Sequence, residues 1–277
     1  MRTLAQISDL HFGREDQKVV DGLQTALEQA AMDVLVVSGD LTQRAKKRQF
    51  KAARDFLASL VEVPLIVVPG NHDISTTNLM ERALQPLARY KRYITTDLAP
   101  SYVDDGVAIA GINTVRVLST KDGRINLAQV RQACEQLQHG GEGAVRVVVT
   151  HHPMDMPLAD TRHALVTRAP MAMREFATCG VDLFLSGHLH AGLTVATSMR
   201  YKLRGYSAVA VHAGTAVSTR TRDEANSWNL IHVDRREIAV QQMIWNGKRF
   251  VQGERETFER SAETDTGEDL GWVRSGR

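Results

Sequence analysis

Cysteine is scarce in this chain, which has only Cys134 and Cys179 among its 277 residues. The two lie 45 residues apart, a separation that matches no zinc-site spacing and indicates no disulfide framework. We therefore expect two reduced, buried thiols. Reduced thiols are typical of the cytoplasm, which is the location we predict.

The sequence also lacks a strong net charge and long apolar runs. Its formal net charge is +2, so no global field draws it towards nucleic acid or an anionic membrane. No apolar run approaches the roughly 18 residues that a membrane-spanning helix needs. The predicted strand at 3–8 leads directly into a polar cluster at 9–11, so we expect no cleavable signal peptide. No internal repeat is visible.

Five short polar clusters recur along the chain, and each follows an apolar run that predicts a buried strand. The clusters are Asp9-Leu10-His11, Gly39-Asp40, Gly70-Asn71-His72-Asp73, His151-His152-Pro153 and Gly187-His188-Leu189-His190. Open α/β sheets bind ligands at the carboxyl ends of their strands. The pattern therefore predicts that the side chains of these clusters, including seven candidate ligands (two Asp, one Asn and four His), meet at one edge of a sheet.

The chemistry of this set indicates a metal centre. Nitrogen and oxygen ligands without a thiolate favour Mn, Fe or Zn. Seven ligands exceed what one ion needs, and they suit two ions if one carboxylate bridges. Two ions roughly 3.5–4 Å apart form the usual clamp for cleaving phosphoesters. In Asp-x-His and His-x-His, alternate side chains of an extended segment point the same way, so one segment supplies two ligands.

In type and order, these clusters resemble the signature of the calcineurin-like metallophosphoesterases, over roughly residues 1–250. The intact Asn-His-Asp and the overall length are most similar to the branch that contains cyclic-nucleotide and glycerol phosphodiesterases. The resemblance implies an α/β fold, namely a four-layer α/β/β/α sandwich with a dinuclear metal site at the strand C-terminal ends.

The resemblance also implies roles for individual residues. The first metal would be held by Asp9, His11, Asp40 and His190, and the second by Asp40, Asn71, His151 and His188, with Asp40 bridging. The family pattern His-x-Pro favours His151 over His152, which remains the fallback. His72 resembles the family's catalytic histidine, which is not a ligand, and Asp73 resembles the acid that orients it.

The function implied is that of a metal-dependent phosphodiesterase in which a metal-bridging hydroxide attacks the phosphoester. A small phosphodiester is the expected partner, with 3′,5′-cyclic nucleotides as the leading substrate. The alternative within enzymes is a phosphodiesterase or nuclease for another substrate, such as glycerophosphodiesters or DNA ends. A non-catalytic scaffold is the alternative of a different class, but no ligand of the signature has been lost. We expect no membrane partner, and a homodimer is a family-level expectation.

Several cationic and histidine side chains lie outside the clusters. Arg14 follows the first cluster, and Arg220 and Arg222 follow the apolar segment 208–214, so these three are candidate substrate contacts because arginine suits phosphate oxygens. A solvated helix face is favoured over a nucleic-acid patch for the basic run Arg44, Lys46, Lys47, Arg48, Lys51 and Arg54,. His212 and His232 interrupt apolar β segments and are expected to be hydrogen-bonded sheet residues.

Strand and helix patterns alternate up to residue 190. The predicted strands are 3–8, 33–38, 65–69, 101–104, 107–113, 145–150 and 181–186, and the predicted helices are 17–31, 44–60, 127–138 and 170–179, with a helix and loop over the site at 74–99,. Later β segments without helices predict an antiparallel second sheet. We assign residues 1–252 to the metallophosphoesterase domain and 253–277 to a polar, flexible tail.

Overall fold

The protein is described by a computed structural model that covers residues 1–60, 62–75, 79–119, 121–160, 163–220, 224–261 and 271–275. The strands of this part of the chain form two mixed sheets, and helices pack beside them. Within the same residues, none of the helices has the length and apolar character needed to cross a bilayer.

The first sheet has seven strands in the order β13-β12-β11-β10-β1-β2-β3. Their bounds are Arg2–Ile7 (β1), Val34–Val37 (β2), Leu65–Val67 (β3), Ser227–Val233 (β10), Glu237–Trp245 (β11), Phe250–Arg260 (β12) and Trp272–Arg274 (β13). β1, β2 and β3 pair in parallel, which confirms the prediction from the alternating strands and helices,.

The second sheet has six strands in the order β4-β5-β6-β7-β9-β8. Their bounds are Ser101–Val103 (β4), Val107–Gly111 (β5), Val145–Val149 (β6), Leu183–Ser186 (β7), Leu193–Ala196 (β8) and Val209–His212 (β9). The predicted antiparallel second sheet is wrong in its membership. β9 pairs in parallel with β7, whereas β10 pairs antiparallel with β1 and so extends the first sheet. Sequence order alone does not tell which edge a late strand joins.

Six helices connect these strands within the described residues. Their bounds are Gln17–Gln29 (α1), Lys47–Ala58 (α2), Leu79–Leu84 (α3), Ala88–Tyr93 (α4), Leu127–Leu137 (α5) and Ala169–Thr178 (α6). Asp16 caps α1 by accepting a hydrogen bond from the backbone N–H of Lys18, and Asn126 caps α5 in a capping box with Gln129. Such caps satisfy backbone donors that the first helical turn leaves unpaired.

Three hydrophobic cores lie on the faces of the two sheets. In β2, Leu35 and Val37 pack with α1, α2 and α4, whereas Val34 and Val36 pack between the sheets. The third core joins the other sheet to α5 and α6. This alternation follows from the two-residue period of a strand. The α/β class is therefore confirmed, and the four-layer order remains our interpretation of the three cores.

The C-terminal segment is not a flexible tail where the structure describes it. Phe258 of β12 and Trp272 of β13 are buried, and the Trp272 indole N–H donates to Asp182 at 2.9 Å. The prediction of a flexible tail from residue 253 is therefore wrong for these two strands. Most residues of β12 after residue 252 are polar and many are exposed, which makes this strand resemble a disordered segment in the sequence. Residues 262–270 lie outside the described part, and the domain division stays a prediction.

The two cysteines are also paired, contrary to expectation. Cys134 lies in α5 and Cys179 directly follows α6, and a disulfide joins them. Sequence separation does not reveal that α5 and α6 pack side by side. Because reduced thiols were the reason for assigning the protein to the cytoplasm, that location stays a prediction without this support.

Candidate metal centre

The five polar clusters meet where the strands of both sheets end. The loops after β1 and β2 bind each other, because the Asp9 N–H donates to Gly39 O at 3.1 Å and the His11 N–H to Asp40 O at 2.9 Å. The His188 N–H, which follows β7 of the other sheet, donates to Asp9 Oδ2 at 3.0 Å. The predicted convergence of distant strand ends is therefore present.

Five of the candidate ligands have a left-handed backbone. Their φ angles are 52° for Asp9, 45° for His11, 52° for Asp40, 71° for His188 and 60° for His190. Such conformations cost about 1–3 kcal/mol each for residues other than glycine and persist only when the surroundings enforce them. Gly39, at φ 97°, lies against the His151 ring where a Cβ would clash. Close packing of the loops thus fixes the side chains at an energetic cost, as is typical of functional sites.

Asp9 lies at the centre of the first group. Its Oδ1 lies 3.5 Å from His11 Nε2 and 3.5 Å from His190 Nε2. Its Oδ2 accepts from the Ser8 hydroxyl at 2.7 Å as well as from His188. Oδ1 is buried and has no hydrogen-bond partner in the described structure, and neither do the two ring nitrogens of His11. A buried carboxylate oxygen left unpaired is costly, so this group fits a cation.

Asn71, His151 and His188 form the second group. Asn71 Oδ1 lies 3.1 Å from His151 Nε2 and 3.1 Å from His188 Nδ1. The other nitrogen of His151 lies 2.8 Å from the Ser38 carbonyl, which can only accept. In neutral His151 the proton is therefore on Nδ1, and the Nε2 lone pair faces the amide oxygen of Asn71. In this neutral form two acceptors converge, which is an arrangement well suited to a metal ion.

Asp40 lies between the two groups. Its Oδ2 is 3.4 Å from His151 Nε2 and 3.8 Å from His11 Nε2, while Oδ1 accepts from the His72 N–H at 2.8 Å. This position suits a bridging carboxylate. Burial lowers the pKa of His151, but Asp40, Asp9 and the Ser38 carbonyl together raise it to about 9. The carboxylates that attract a proton in the metal-free protein would equally attract a metal cation.

His152 lies beside the second group, with one ring nitrogen held by a neighbouring hydroxyl. Its Nδ1 is 2.8 Å from the Thr114 hydroxyl, and burial followed by the neighbouring His151 holds its pKa well below the usual value. Asn71 and Asp40 both face His151, which favours His151 as the ligand. His152 nevertheless belongs to one of the candidate ion-binding groups, together with His151 and His188.

His72 contacts the centre through neighbours that sequence reasoning missed. Its Nδ1 lies 2.8 Å from the Gln43 carbonyl and its Nε2 lies 2.8 Å from Arg220 Nη1. A carbonyl only accepts and a guanidinium only donates, so His72 is neutral, with the proton on Nδ1. Burial lowers its pKa, which agrees with this form.

Asp73 does not orient His72, so that expected role is wrong. Its carboxylate accepts from the backbone N–H groups of Leu41, Thr42 and Gly70 and from the Thr42 hydroxyl. It therefore joins the loop after β2 to the loop after β3, and the Gln43 carbonyl takes the orienting position. Burial, then the charge of Asp40, raises the pKa of Asp73 to about 6.

The three arginines that were predicted to contact substrate differ in their positions relative to the centre. Arg220 reaches the centre through its contact with His72. The Arg14 side chain is exposed, and its backbone carbonyl accepts from the Thr219 N–H at 2.8 Å, which holds the two loops together. Arg222 lies outside the described residues. Their contacts with substrate stay predictions.

Other polar groups near the centre carry little sequence signal. His190 Nδ1 lies 2.8 Å from the Thr215 hydroxyl, and His163 lies 2.7 Å from Asp160 with its ring centroid 6.5 Å from that of His188. The carbonyls of Ser38 and Gln43 carry no signal at all, because every residue has one. By contrast, the predicted sheet roles of His212 and His232 agree with their hydrogen bonds to Ser186 and Thr3.

Comparison with known proteins also indicates a phosphoesterase. The family model for calcineurin-like phosphoesterases matches residues 2–192. The chain is 27% identical over 222 residues to the glycerophosphodiester phosphodiesterase GpdQ of Enterobacter lignolyticus, covering 70% of this chain and 75% of that protein. It is 32% identical over 80 residues to a probable cyclic nucleotide phosphodiesterase of Vesicomyosocius okutanii, covering 26% of this chain and 33% of that protein.

Solved structures share the fold. A dimetal phosphatase from Danio rerio superposes with a TM-score of 0.62 at 12% identity, covering 91% of this chain and 98% of that one. The purple acid phosphatase PPD1 of yellow lupin gives a TM-score of 0.67 at 12% identity, covering 92% of this chain but only 53% of that one. The chain thus spans about half of the lupin protein. With its family model matched and its aspartate and histidine groups suited to two metal ions, this chain belongs to the calcineurin-like phosphoesterase family of hydrolases.

Proposed function

We propose that this protein is a dinuclear-metal phosphodiesterase. The observation that carries the proposal is the convergence of acceptor atoms on either side of Asp40, with His72 and Arg220 beside them. Asp9, His11, Asp40 and His190 would hold one ion, and Asp40, Asn71, His151 and His188 the other. The donor set suits Mn, Fe or Zn. When bound, two such ions polarise phosphoryl oxygens and lower the pKa of water.

Arg220 and His72 supply the part of the mechanism that the chain itself performs. The Arg220 guanidinium can bind two phosphoryl oxygens at once through its fork of donors. If the Arg220 guanidinium moved to the substrate, Nε2 of His72 would be free to contact the leaving oxygen. His72 would then protonate that oxygen or stabilise the charge that develops on the phosphoryl group. As an acid it must first gain a proton on Nε2, which Arg220 opposes while the two are in contact.

The leading small substrates are 3′,5′-cyclic nucleotides, with glycerophosphodiesters as the alternative. Similarity to a glycerophosphodiester phosphodiesterase over most of the chain supports diesters in general. The shorter match to a probable cyclic nucleotide phosphodiesterase supports the cyclic substrates. Both classes present one phosphodiester to the same centre.

The experiment measures turnover after chelation and after reloading with Mn²⁺, Fe²⁺ or Zn²⁺. We expect the chelated protein to be inactive and the reloaded protein to hydrolyse bis(p-nitrophenyl) phosphate faster than p-nitrophenyl phosphate. A panel of cyclic nucleotides and glycerophosphodiesters then ranks the substrates. Full turnover in protein of verified zero metal content would overturn the dinuclear mechanism. Tight metal binding with no turnover of any diester would instead indicate a scaffold.

A further inference from the structure

Three amide side chains form a row across the first sheet, on the face that meets the second sheet. Gln6 of β1 pairs with Asn229 of β10, which pairs with Gln242 of β11, and we call these three residues the amide row. The neighbouring row on the same face is apolar, packs between the sheets and consists of Leu4, Ile231 and Val240,. Gln6 lies three residues before Asp9, so the amide row interrupts the apolar interface on the side nearer the metal centre.

Two members of the amide row hydrogen-bond to the second sheet. Gln6 Nε2 donates to the Ser186 carbonyl at the end of β7, at 3.0 Å, and Asn229 Nδ2 donates to the His212 carbonyl at the end of β9, at 3.2 Å. Their other N–H groups donate to the Ser38 hydroxyl at 3.2 Å and to Gln6 Oε1 at 3.1 Å. Both hydrogens of each NH₂ group are therefore used. Gln6 and Asn229 are 0% and 2% exposed, so these bonds are shielded from water.

The third member packs against the segment that carries two candidate ligands. Gln242 Nε2 occupies the place that a Cβ on Gly192 would need. Gly192 follows His190 by two residues, and Ser186 precedes His188 by two. The amide row of the first sheet therefore contacts the backbone on both sides of the cluster Gly187-His188-Leu189-His190.

Both candidate ion sites need such a contact, because each takes ligands from both sheets. In the first group Asp9 follows β1 of the first sheet, whereas His190 follows β7 of the second. In the second group Asn71 follows β3 of the first sheet, whereas His151 and His188 follow β6 and β7 of the second. Metal–ligand distances hold to within about 0.2 Å. A small shift of one sheet relative to the other would therefore disturb both sites.

Apolar packing alone does not fix the relative position of the sheets. Burial of apolar surface is not directional, whereas a hydrogen bond weakens steeply outside a narrow range of distance and angle. Buried amides are costly unless they are paired, and fully paired they specify one arrangement. We therefore propose that the amide row positions the ligands of the second sheet against those of the first at the separation that two metal ions require. This inference rests on the proposed dinuclear centre and adds positioning residues outside its ligand set.

The experiment measures Mn²⁺ binding to metal-free full-length protein by isothermal titration calorimetry. Gln6→Met keeps the length of the side chain and removes its hydrogen bonds. The Ser186 carbonyl still accepts from the Ala213 N–H at 2.9 Å, so this acceptor is not left unpaired in the variant. We expect Mn²⁺ affinity to fall about 10–100-fold, the loss typical of residues that orient metal ligands without binding the ion.

The matched control is Gln241→Met, in a second buried glutamine of the same sheet. Gln241 is 7% exposed, and its Nε2 donates to the carbonyls of Gln242, Gly253 and Glu254, which all belong to the first sheet. Each variant removes the buried hydrogen bonds of one glutamine, so both should lower the free energy of unfolding in urea to a similar extent. Gln241→Met should nevertheless bind Mn²⁺ with wild-type affinity.

Two outcomes would overturn the proposal. One is wild-type Mn²⁺ affinity in Gln6→Met, and the other is an equal loss in the two methionine variants, because an equal loss would reflect the fold in general. If Gln6→Met does not fold, Asn229→Ala takes its place. It removes the bond to His212 and leaves the Gln6 bond to Ser186, and affinity should fall about tenfold. Unchanged affinity in that variant would equally overturn the proposal.

Turnover of bis(p-nitrophenyl) phosphate by wild type is scored separately. Wild-type protein that binds two ions but hydrolyses no diester would refute the phosphodiesterase, and the binding data would still decide the role of the amide row. Wild-type turnover together with unchanged Mn²⁺ affinity in Gln6→Met would refute only the amide row.

Discussion

The metal centre and the α5–α6 layer are held in opposite ways. In the centre, candidate ligands adopt left-handed backbone, and the buried carboxylates of Asp9 and Asp40 lie in one cluster with His151. In the α5–α6 layer, apolar side chains fill a core, a capping box starts α5, and a disulfide joins the two helices. Local strain and charge repulsion are thus concentrated where chemistry is expected, and stabilising interactions are concentrated away from it.

This difference implies that activity and stability respond to different substitutions. Changes in the centre should remove activity while leaving the metal-free fold as stable as before. Changes in the α5–α6 layer should lower stability while leaving turnover of the folded protein unchanged. Each of the following predictions tests this separation of activity from stability, and the failure of any one would contradict it.

The largest effect is expected at the bridging position. In Asp40→Asn the new side chain still offers an oxygen to the His72 N–H, and asparagine tolerates left-handed backbone. The substitution removes the negative charge between the two candidate metal-binding groups. We expect turnover to fall about 10³-fold or more, because metal ions supply several kcal/mol of transition-state stabilisation. Metal analysis should show both ions weakened, whereas His11→Ala should chiefly weaken one. Urea unfolding of the metal-free Asp40→Asn variant should match wild type, and a loss of several kcal/mol would contradict the comparison.

The next effect concerns His72. We expect His72→Ala to keep its metals and to lose about 10²–10⁴-fold in rate on a diester with an alkoxide leaving group, the range typical of general acid catalysis. The loss should be smaller on bis(p-nitrophenyl) phosphate, whose leaving group departs without a proton. Rates are compared on both esters with metal occupancy checked in each sample. An equal loss would instead assign His72 to electrostatic stabilisation of the phosphoryl oxygens.

A smaller effect is expected at the disulfide, and it should lower stability rather than turnover. The double variant Cys134→Ser/Cys179→Ser opens a loop of 45 residues, which should lower the free energy of unfolding by about 4 kcal/mol by the chain-entropy relation. Urea denaturation measures the loss, and wild type in excess reductant provides the control. Turnover at 25 °C should stay at the wild-type value. A change in turnover without a change in stability would show that the α5–α6 layer shapes the centre.

The smallest effect is expected at His212, which ends β9 and bonds Ser186, next to the cluster that contains His188. Burial lowers the pKa of His212 from 6.5 to about 4. The unfolded chain therefore binds more protons between these values, and stability falls as the pH drops through 6.5 towards 4. From pH 7 to pH 5 the loss is about 2 kcal/mol. His212→Asn should remove this part of the pH dependence, and urea curves at both pH values check it. Identical pH dependence in the variant would show that His212 has the same pKa in the folded and the unfolded protein, and would contradict this prediction.

The centre was predictable because its signals are local. Each ligand sits directly after an apolar run, so finding the runs also finds the edge where ligands such as Asp9 and His188 meet. The features that sequence analysis did not predict depend on contacts between segments that are far apart in the chain. The Cys134–Cys179 pair, the membership of β10 in the first sheet and the Gln43 carbonyl on His72 all require tertiary contacts that leave no periodicity.

The position of β1 between β2 and β10 has a consequence for biosynthesis. Arg2 faces Val233 and Gln6 faces Asn229 in the β1–β10 pair, so more than two hundred residues separate the partners. A ribosome that adds about 5–20 residues per second needs about 10–45 s to synthesise the stretch between them. During that time one edge of the strand that leads to Asp9 and His11 lacks its native partner, and unpaired strand edges promote aggregation. That interval is therefore the one in which the nascent chain is most exposed to aggregation through this edge of β1.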